Sequence, residues 1–474
     1  MRLSHAAMYA RILEEDASCN GRFFTGVLTT GIYCLPACKA RKPRPENVRF
    51  FPSCEAARKA GLRPCRKCHP DDFARGADPI LANIEALVAE IRSRPTAFPD
   101  VRAIVRRSGF GSTRLFELFR LHYHLTPADL LGRARLAIAR QLLLATDAGL
   151  LDVAQSAGFE SASVFHDSFR RQHGLTPGAY RDLRTARSFA LHLPPGFPLP
   201  YLRRLLARDP FSLSERFHGD DFTCIVLHQG RPARLQLRLA PGILHVYADG
   251  VSADIAHARV AALVGLEQDA DAFSRLARKL GLARLVAGRE GLRVPQVSSV
   301  FEGVLWSILG QQINFRFACQ LRRRLTELAG TQVAPELFAP PTPEAVASLD
   351  PAKLLPLQFS RQKADYLVTT ARLIAEGRLD LEALKAMSAT RVERTLLAIR
   401  GLGPWSVNYV MMRALGFGDC VPLGDTGVSS GLQTLLQLEE RPDMDATRRL
   451  MAVFSPFRSL ATAHLWQINQ PIPS

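Results

Sequence analysis

The chain has 474 residues, 47% of them hydrophobic and 22% charged, with a formal net charge of +17. That length predicts three or four domains. No run of 18 apolar residues offers a membrane span, and Met1-Arg2-Leu3-Ser4-His5 lacks the apolar segment of a secretory signal, so a cytoplasmic location without membrane partners is expected.

The basic excess is 29 Lys+Arg against 18 Asp+Glu in residues 1–187, and 32 against 26 in the remainder. Arginine dominates it, and arginine suits bidentate phosphate contact, so a polyanionic partner is predicted. Nine cysteines, an odd number in so long a chain, argue against a disulfide framework.

Residues 1–75 mix short apolar runs with turn signals. They hold Cys34-x3-Cys38, a basic loop kept out of helix by Pro43 and Pro45, and Cys65-x2-Cys68. Residues 79–185 read as helical and contain a repeat. Phe119-Arg120 followed by Leu125-Thr126-Pro127 recurs 50 residues later as Phe169-Arg170 followed by Leu175-Thr176-Pro177. Gly109-Phe110-x-Ser112 recurs as Gly158-Phe159-x-Ser161. Each copy offers a short helix, a glycine turn, a serine cap and an amphipathic helix, which predicts two helix-turn-helix units. Pro194, Pro195, Pro198 and Pro200 mark a boundary. Three alternating strands are then predicted within residues 222–247, followed by one or two helices up to about residue 290. From Ser298 the chain reads as helical to its end, with proline-rich interruptions.

Two short-spaced cysteine pairs separated by 26 residues can converge on one tetrahedral site, and four thiolates suit zinc. The surrounding motif is Thr29-Thr30-Gly31-Ile32-Tyr33-Cys34-x-Pro36-x-Cys38-x-Ala40-Arg41, then Glu46-Asn47-Val48, then Gly61-x-Arg63-Pro64-Cys65-x-Lys67-Cys68. Over about residues 9–75 it resembles the N-terminal domain of the Ada family of methyl-phosphotriester repair proteins. The resemblance implies that Cys34 is both a zinc ligand and the nucleophile that irreversibly accepts a methyl group from DNA. Cys38, Cys65 and Cys68 are then the other ligands, and Thr30, Arg41 and Arg63 contact the DNA backbone. The chemistry is consistent: a thiolate is the attacking species, and four thiolates on one zinc leave a formal charge of about −2 that repels ordinary phosphates but admits a neutral methylated one.

The repeat resembles the DNA-binding region of the AraC regulators, over about residues 80–185. The second copy follows the pattern more closely, because His124 stands where a late glycine is expected in the first. Recognition helices are expected to begin near Ser112 and Ser161, and helix phase places Arg114 and Ser163 toward DNA.

In the last part, Arg400-Gly401-Leu402-Gly403-Pro404-Trp405 lies between two amphipathic segments. Gly401 and Gly403 allow backbone amides to approach a phosphate, at the positive end of the next helix. Val421-Pro422-Leu423-Gly424-Asp425 follows, its aspartate 22 residues after Gly403. This order, with Leu309-Gly310-Gln311-Gln312-Ile313 and His464-x-Trp466, resembles the AlkA-type 3-methyladenine glycosylases of the helix-hairpin-helix superfamily, over about residues 188–470. The resemblance implies that Asp425 is the catalytic carboxylate, stabilising a sugar cation. Trp405, Tyr409 and Trp466 would form an aromatic pocket for a cationic base. Gln312 stands where the family has an intercalating leucine, and Thr426 where it has a tyrosine. Trp405 replaces the lysine of strand-cleaving relatives, so no lyase activity is expected. No cysteine follows Cys420, which excludes an iron–sulfur cluster, and no Pro-Cys-His-Arg run suggests a guanine alkyltransferase.

The expected fold class is multidomain, mainly α with α+β parts. A zinc-bound α/β domain (1–78) is followed by an all-α double helix-turn-helix (79–187). An antiparallel-sheet α+β subdomain (188–297) and an all-α helix-hairpin-helix glycosylase domain (298–474) complete it. The expected function is DNA alkylation repair: a monofunctional glycosylase joined to a methyl acceptor that regulates transcription. Zinc is the expected cofactor, and alkylated and promoter duplex DNA and RNA polymerase are the expected partners. The implied setting is bacterial and nucleoid-associated. The alternative is a DNA-binding regulator whose glycosylase half only binds.

Overall fold

The computed structural model describes residues 3–16, 19–74 and 78–472. They form two compact units, residues 1–87 and 88–474, divided within the helix Pro79–Ser93.

The first unit is built on a four-stranded sheet in the order Val48–Phe51, Phe24–Val27, Ile32–Cys34, Arg63–Pro64. The first three strands are antiparallel, and the last pairs in parallel, matching Ile32 to Arg63 and Tyr33 to Pro64. The hairpin turn at 28–31 closes through Gly31, whose φ of 63° is left-handed. Phe24, Tyr33, Leu35, Phe51 and Leu62 make the small core. Gly26 is required there, because a Cβ at that position would come within 2.5 Å of the Phe51 ring.

The second unit opens with the predicted helical repeat. Val101–Ser108 and Ser112–Tyr123 form the first helix-turn-helix; Leu150–Ser156 and Ala162–His173 form the second. The helix Pro127–Ala145 joins them, started by a reciprocal capping box between Thr126 and Asp129. Ser161 caps its recognition helix as expected, accepting a hydrogen bond from the Val164 amide. The first copy differs: its cap is Gly111, and Ser112 is already in the helix. His124 leaves the turn unaltered. It is left-handed (φ 56°) and returns its N–H to the Arg120 carbonyl, as Gly174 (φ 63°) does to Arg170.

The strand-rich segment is a five-stranded antiparallel sheet in the order Ser188–His192, Ile243–Asp249, Arg231–Ala240, Asp221–His228, Glu215–His218. The outer two strands were not expected. Along Arg231–Ala240, Ala233, Leu235, Leu237 and Leu239 are buried while Arg234, Gln236 and Arg238 face solvent, a period-two pattern. One apolar core joins this sheet to the second helix-turn-helix: Leu143, Phe165, Phe169 and Tyr180 pack with Phe222, Leu237, Val246 and Val260.

The remaining helices surround Val300–Leu309, all ten of whose residues are buried. A short hairpin, Thr331–Ala334 with Leu337–Ala339, interrupts the expected all-helical run. The buried Arg322 is paired with Glu302 and with Glu215, 3.6 Å away, tying the helices to the sheet edge. Among the described residues no helix is long and apolar enough to cross a membrane.

Among the described residues, burial holds His124, His173, His257 and His464 neutral. Burial lowers His124 and His257 to about 4, His464 to about 3, and His173 well below 6.5. Their folded-state pKa values are depressed, so the unfolded chain binds more protons as pH falls below 6.5. Stability is then full above that value and is lost as pH falls toward 4. Thermal melting from pH 7.5 to 4.5 is expected to show a falling Tm below pH 6.5, with uptake of up to about four protons on unfolding. A flat profile would contradict this.

Candidate metal centre and candidate active site

Cys34 ends its strand, and the chain turns at once to bring Cys38 back, with Cys38 N–H bonded to the Leu35 carbonyl. The second cysteine pair is delivered by backbone pairing: Arg63 N–H bonds Gly31 O at 2.8 Å and Cys65 N–H bonds Tyr33 O at 2.9 Å. The four sulfurs of Cys34, Cys38, Cys65 and Cys68 all lie within 4.8 Å of one another, three of the residues buried. Tetrahedral zinc with Zn–S near 2.3 Å needs S···S separations of roughly 3.8 Å, which this set can meet. The Leu35 amide donates to Cys68 Sγ and the Lys67 amide to Cys65 Sγ, both at 3.3 Å; neither bond ends on Cys34. Crowded sulfurs cannot all ionise without a cation, and this proximity pushes Cys34 up and Cys38 down. Thr30, Arg41 and Arg63 are exposed. So are Lys39, Arg44, Arg66 and Lys67 of the same cationic segment.

In the second unit the hairpin Arg400–Gly403 connects the helices Ala389–Leu397 and Pro404–Arg413. Gly401 has a φ of 97°, and a Cβ there would strike the Tyr366 ring at 2.3 Å, so only glycine fits. Gly403 caps the following helix with its amide end open. Asp425 caps the helix Thr426–Leu436 through the Val428 amide, 3.0 Å from Oδ1. It does more than cap. Trp405 Nε1 donates to its Oδ2 at 3.0 Å, and Trp466 Nε1 to its Oδ1 at 2.9 Å. The carboxylate is thus fixed between two indoles that sequence places 20 residues before it and 41 after it. Tyr409 stacks on Trp405 with ring centroids 5.4 Å apart.

Gln312 sits exposed at a loop tip in a left-handed conformation, φ 56°. Its neighbour Gln311 anchors that loop to the hairpin, with Nε2 donating to Gly401 O at 2.8 Å and to Ser406 Oγ at 3.0 Å. Arg114 and Ser163 lie near the starts of the two recognition helices. Ser163 is exposed, and Arg114 is partly exposed and paired with Glu117 at 3.0 Å.

Several contributors carried no usable sequence signal. Gly427 lets Trp466 approach Asp425, since a Cβ would lie 2.8 Å from the indole. Trp306 packs with Tyr409 and stacks on Phe315, with the Arg208 guanidinium about 5.0 Å over it. Its position on an apolar helix face reads as core. Asn408 joins the post-hairpin helix to the loop before Asp425, its Oδ1 accepting from the Val421 amide at 3.2 Å.

Lys363 is buried and donates through Nζ to the Leu309 carbonyl at 2.6 Å, closing the helix that leads into the Gln312 loop. Burial pushes it down to about 8. Lys363→Met is expected to leave that carbonyl unpaired, at a stability cost of about 1–3 kcal/mol. A melting curve checks it; an unchanged Tm would show that the carbonyl does not depend on Lys363.

Three family descriptions match the chain: "Metal binding domain of Ada" over residues 7–71, "Helix-turn-helix domain" over 104–183, and "HhH-GPD superfamily base excision DNA repair protein" over 305–456. A "probable bifunctional transcriptional activator/DNA repair enzyme AlkA" of Mycobacterium tuberculosis is 30% identical over 488 residues, covering 97% of this chain and 95% of its own. A DNA-3-methyladenine glycosylase of Bacillus subtilis is 32% identical over 207 residues, 43% of this chain and 68% of its own. In fold, the chain is similar to the 3-methyladenine DNA glycosylase of Archaeoglobus fulgidus, with a TM-score of 0.54 at 20% identity over 60% of this chain and 99% of that one.

Proposed function

The chain belongs to the family of bifunctional transcriptional activator/DNA repair enzymes, and from that premise we propose how its residues divide the work. It is a DNA-binding repair protein, with a 3-methyladenine-type glycosylase in one part and a zinc-dependent methyl acceptor in the other. The observation that carries the glycosylase assignment is the Asp425 carboxylate held by the Trp405 and Trp466 N–H groups beside the hairpin.

Gly401 and Gly403 present backbone amides to a phosphate next to the lesion, and Gln312 fills the gap left by the extruded nucleotide. The alkylated base is already cationic, so it leaves with the glycosidic electron pair and needs no strong general acid. Asp425 stabilises the cation developing on the sugar, and water completes hydrolysis. The ring faces of Trp405, Tyr409 and Trp466 hold the base. The two indole N–H groups fix the carboxylate orientation, a role beyond the pocket lining expected from sequence.

In the first unit, Cys34, Cys38, Cys65 and Cys68 would hold zinc, which when bound would supply the positive charge that keeps the four sulfurs deprotonated at neutral pH. Cys34 Sγ attacks the methyl carbon of a phosphotriester; an S–C bond forms, the C–O bond breaks, and the phosphate departs as an ordinary diester anion. The amide hydrogen bonds on Cys38, Cys65 and Cys68 withdraw electron density there, leaving Cys34 the more reactive sulfur. Thr30, Arg41 and Arg63 position the flanking backbone. Arg114 and Ser163 read promoter DNA, and RNA polymerase is the partner through which the methylated form activates transcription.

Incubation with methylated duplex DNA, with chromatography of released bases and mass measurement of the protein, tests both parts. Released 3-methyladenine with an intact abasic strand, and one added methyl per chain, are expected. Absence of base release would leave the alternative, a regulator whose second part only binds.

A further inference from the structure

Both recognition helices are anchored at their C-terminal caps. In the second copy, Gly174 lies against the strand Ser188–His192. Its carbonyl accepts from the His192 amide at 2.9 Å, and a Cβ at Gly174 would lie 2.7 Å from His192 O. The apolar core shared with the sheet completes that attachment. In the first copy His124 occupies the corresponding cap, and its side chain docks on the glycosylase. Its Nδ1 accepts from the Asp419 amide at 3.1 Å, and its ring meets Phe417 edge-on at 5.4 Å. Asp419 is itself clamped by Arg458 at 2.7 and 2.8 Å. Two further bonds reach the helix that leads into the hairpin and the 3-10 turn just before it. His122 Nδ1 meets Thr390 Oγ1 at 2.8 Å, and Arg92 donates to Ala386 O at 2.6 Å. The N-terminal ends of both recognition helices remain open: Ser112, Thr113, Ser161, Ser163 and Val164 are exposed.

We propose that the helix-turn-helix pair is a fixed extension of the glycosylase's DNA-binding surface, docked through His122 and His124, so that its grip on undamaged duplex flanking a lesion is transmitted to base excision. The ligand is double-stranded DNA beyond the few base pairs held by the hairpin. A tethered second grip raises effective concentration without any new contact at the lesion. The departure from glycine at position 124 then has a cause. The left-handed cap is kept, at the strain a non-glycine residue carries there, because the imidazole is the docking group. This rests on the glycosylase reading above, and excision from a short duplex is the control that separates the two.

The test uses the full chain and two methylated duplexes sharing one lesion context, about 16 and about 50 base pairs long. Wild type is expected to show kcat/KM roughly tenfold higher on the long duplex, an advantage that shrinks with salt. His122→Ala combined with His124→Gly, which keeps the cap as Gly174 does, should reduce that advantage to under about twofold while short-duplex excision stays at the wild-type rate. Thr390→Val is the milder variant and should move in the same direction. An undiminished advantage in folded variants would overturn the proposal. So would equal wild-type rates on both lengths, or faster excision by the variants on both. Loss of short-duplex excision in the wild type would instead count against the glycosylase reading itself.

Discussion

Asp425→Asn is expected to slow single-turnover release of 3-methyladenine by about a hundredfold to a thousandfold, the scale for removing an electrostatic group aimed at developing charge. Asparagine keeps the shape, and its Oδ1 can still accept from Val428 and Trp466. The Trp405 N–H, which donates to Oδ2 in the native site, then faces an amide NH2, donor against donor. The variant should therefore fold with its helix cap intact, melt lower because one donor is unpaired (about 1 kcal/mol), and bind abasic DNA nearly as well as wild type. Chromatography of released base, a melting curve and a binding titration separate these effects. A variant retaining more than about a tenth of the wild-type rate would remove Asp425 as the charge that stabilises the cation.

Cys34→Ala is expected to abolish methyl acceptance completely, because backbone amides hydrogen-bond the other three sulfurs of the cluster: Ala40 on Cys38, Lys67 on Cys65 and Leu35 on Cys68. Under the proposed methyl transfer, the acquired methyl would convert one thiolate to a neutral thioether, so four sulfurs holding a zinc would go from a formal charge of about −2 to −1. At about 8 Å from a phosphate and an effective dielectric of 40–80, one unit of repulsion is worth roughly 0.5–1 kcal/mol. Two or three nearby phosphates raise this to roughly 1–3 kcal/mol, or about tenfold to a hundredfold in DNA affinity. The gain should shrink at higher salt. Titration of methylated and unmethylated protein on promoter DNA at two salt concentrations checks it. Equal affinities at low salt would leave Cys34 a repair nucleophile with no sensing role.

The chemistry-bearing positions were legible because their constraints are local or pairwise. Two cysteine pairs announce a tetrahedral site, and glycines at 401 and 403 announce a close backbone approach. The 50-residue repeat announced the helix-turn-helix pair, down to the cap at Ser161. What was hidden depends on distant partners. The strands Ser188–His192 and Glu215–His218 are short and lie at the sheet edges, where one-sided pairing leaves little pattern. Thr331–Ala334 and Leu337–Ala339 lie beside a proline-rich stretch that reads as interruption. Trp405 and Trp466 were marked as aromatic faces, yet their N–H edges turn to Asp425. His124 looked like a defect in its repeat, and only the fold reveals the Asp419 amide it meets. Gly427 carries no mark at all, since its role is to leave room for an indole 39 residues away.

The Gln311 amide, which bonds Gly401 O and Ser406 Oγ, also bears on turnover. On the roles proposed for them, a loop that enters the duplex and a hairpin that grips its backbone are joined by these two hydrogen bonds. Under that proposal the two would leave an abasic product together.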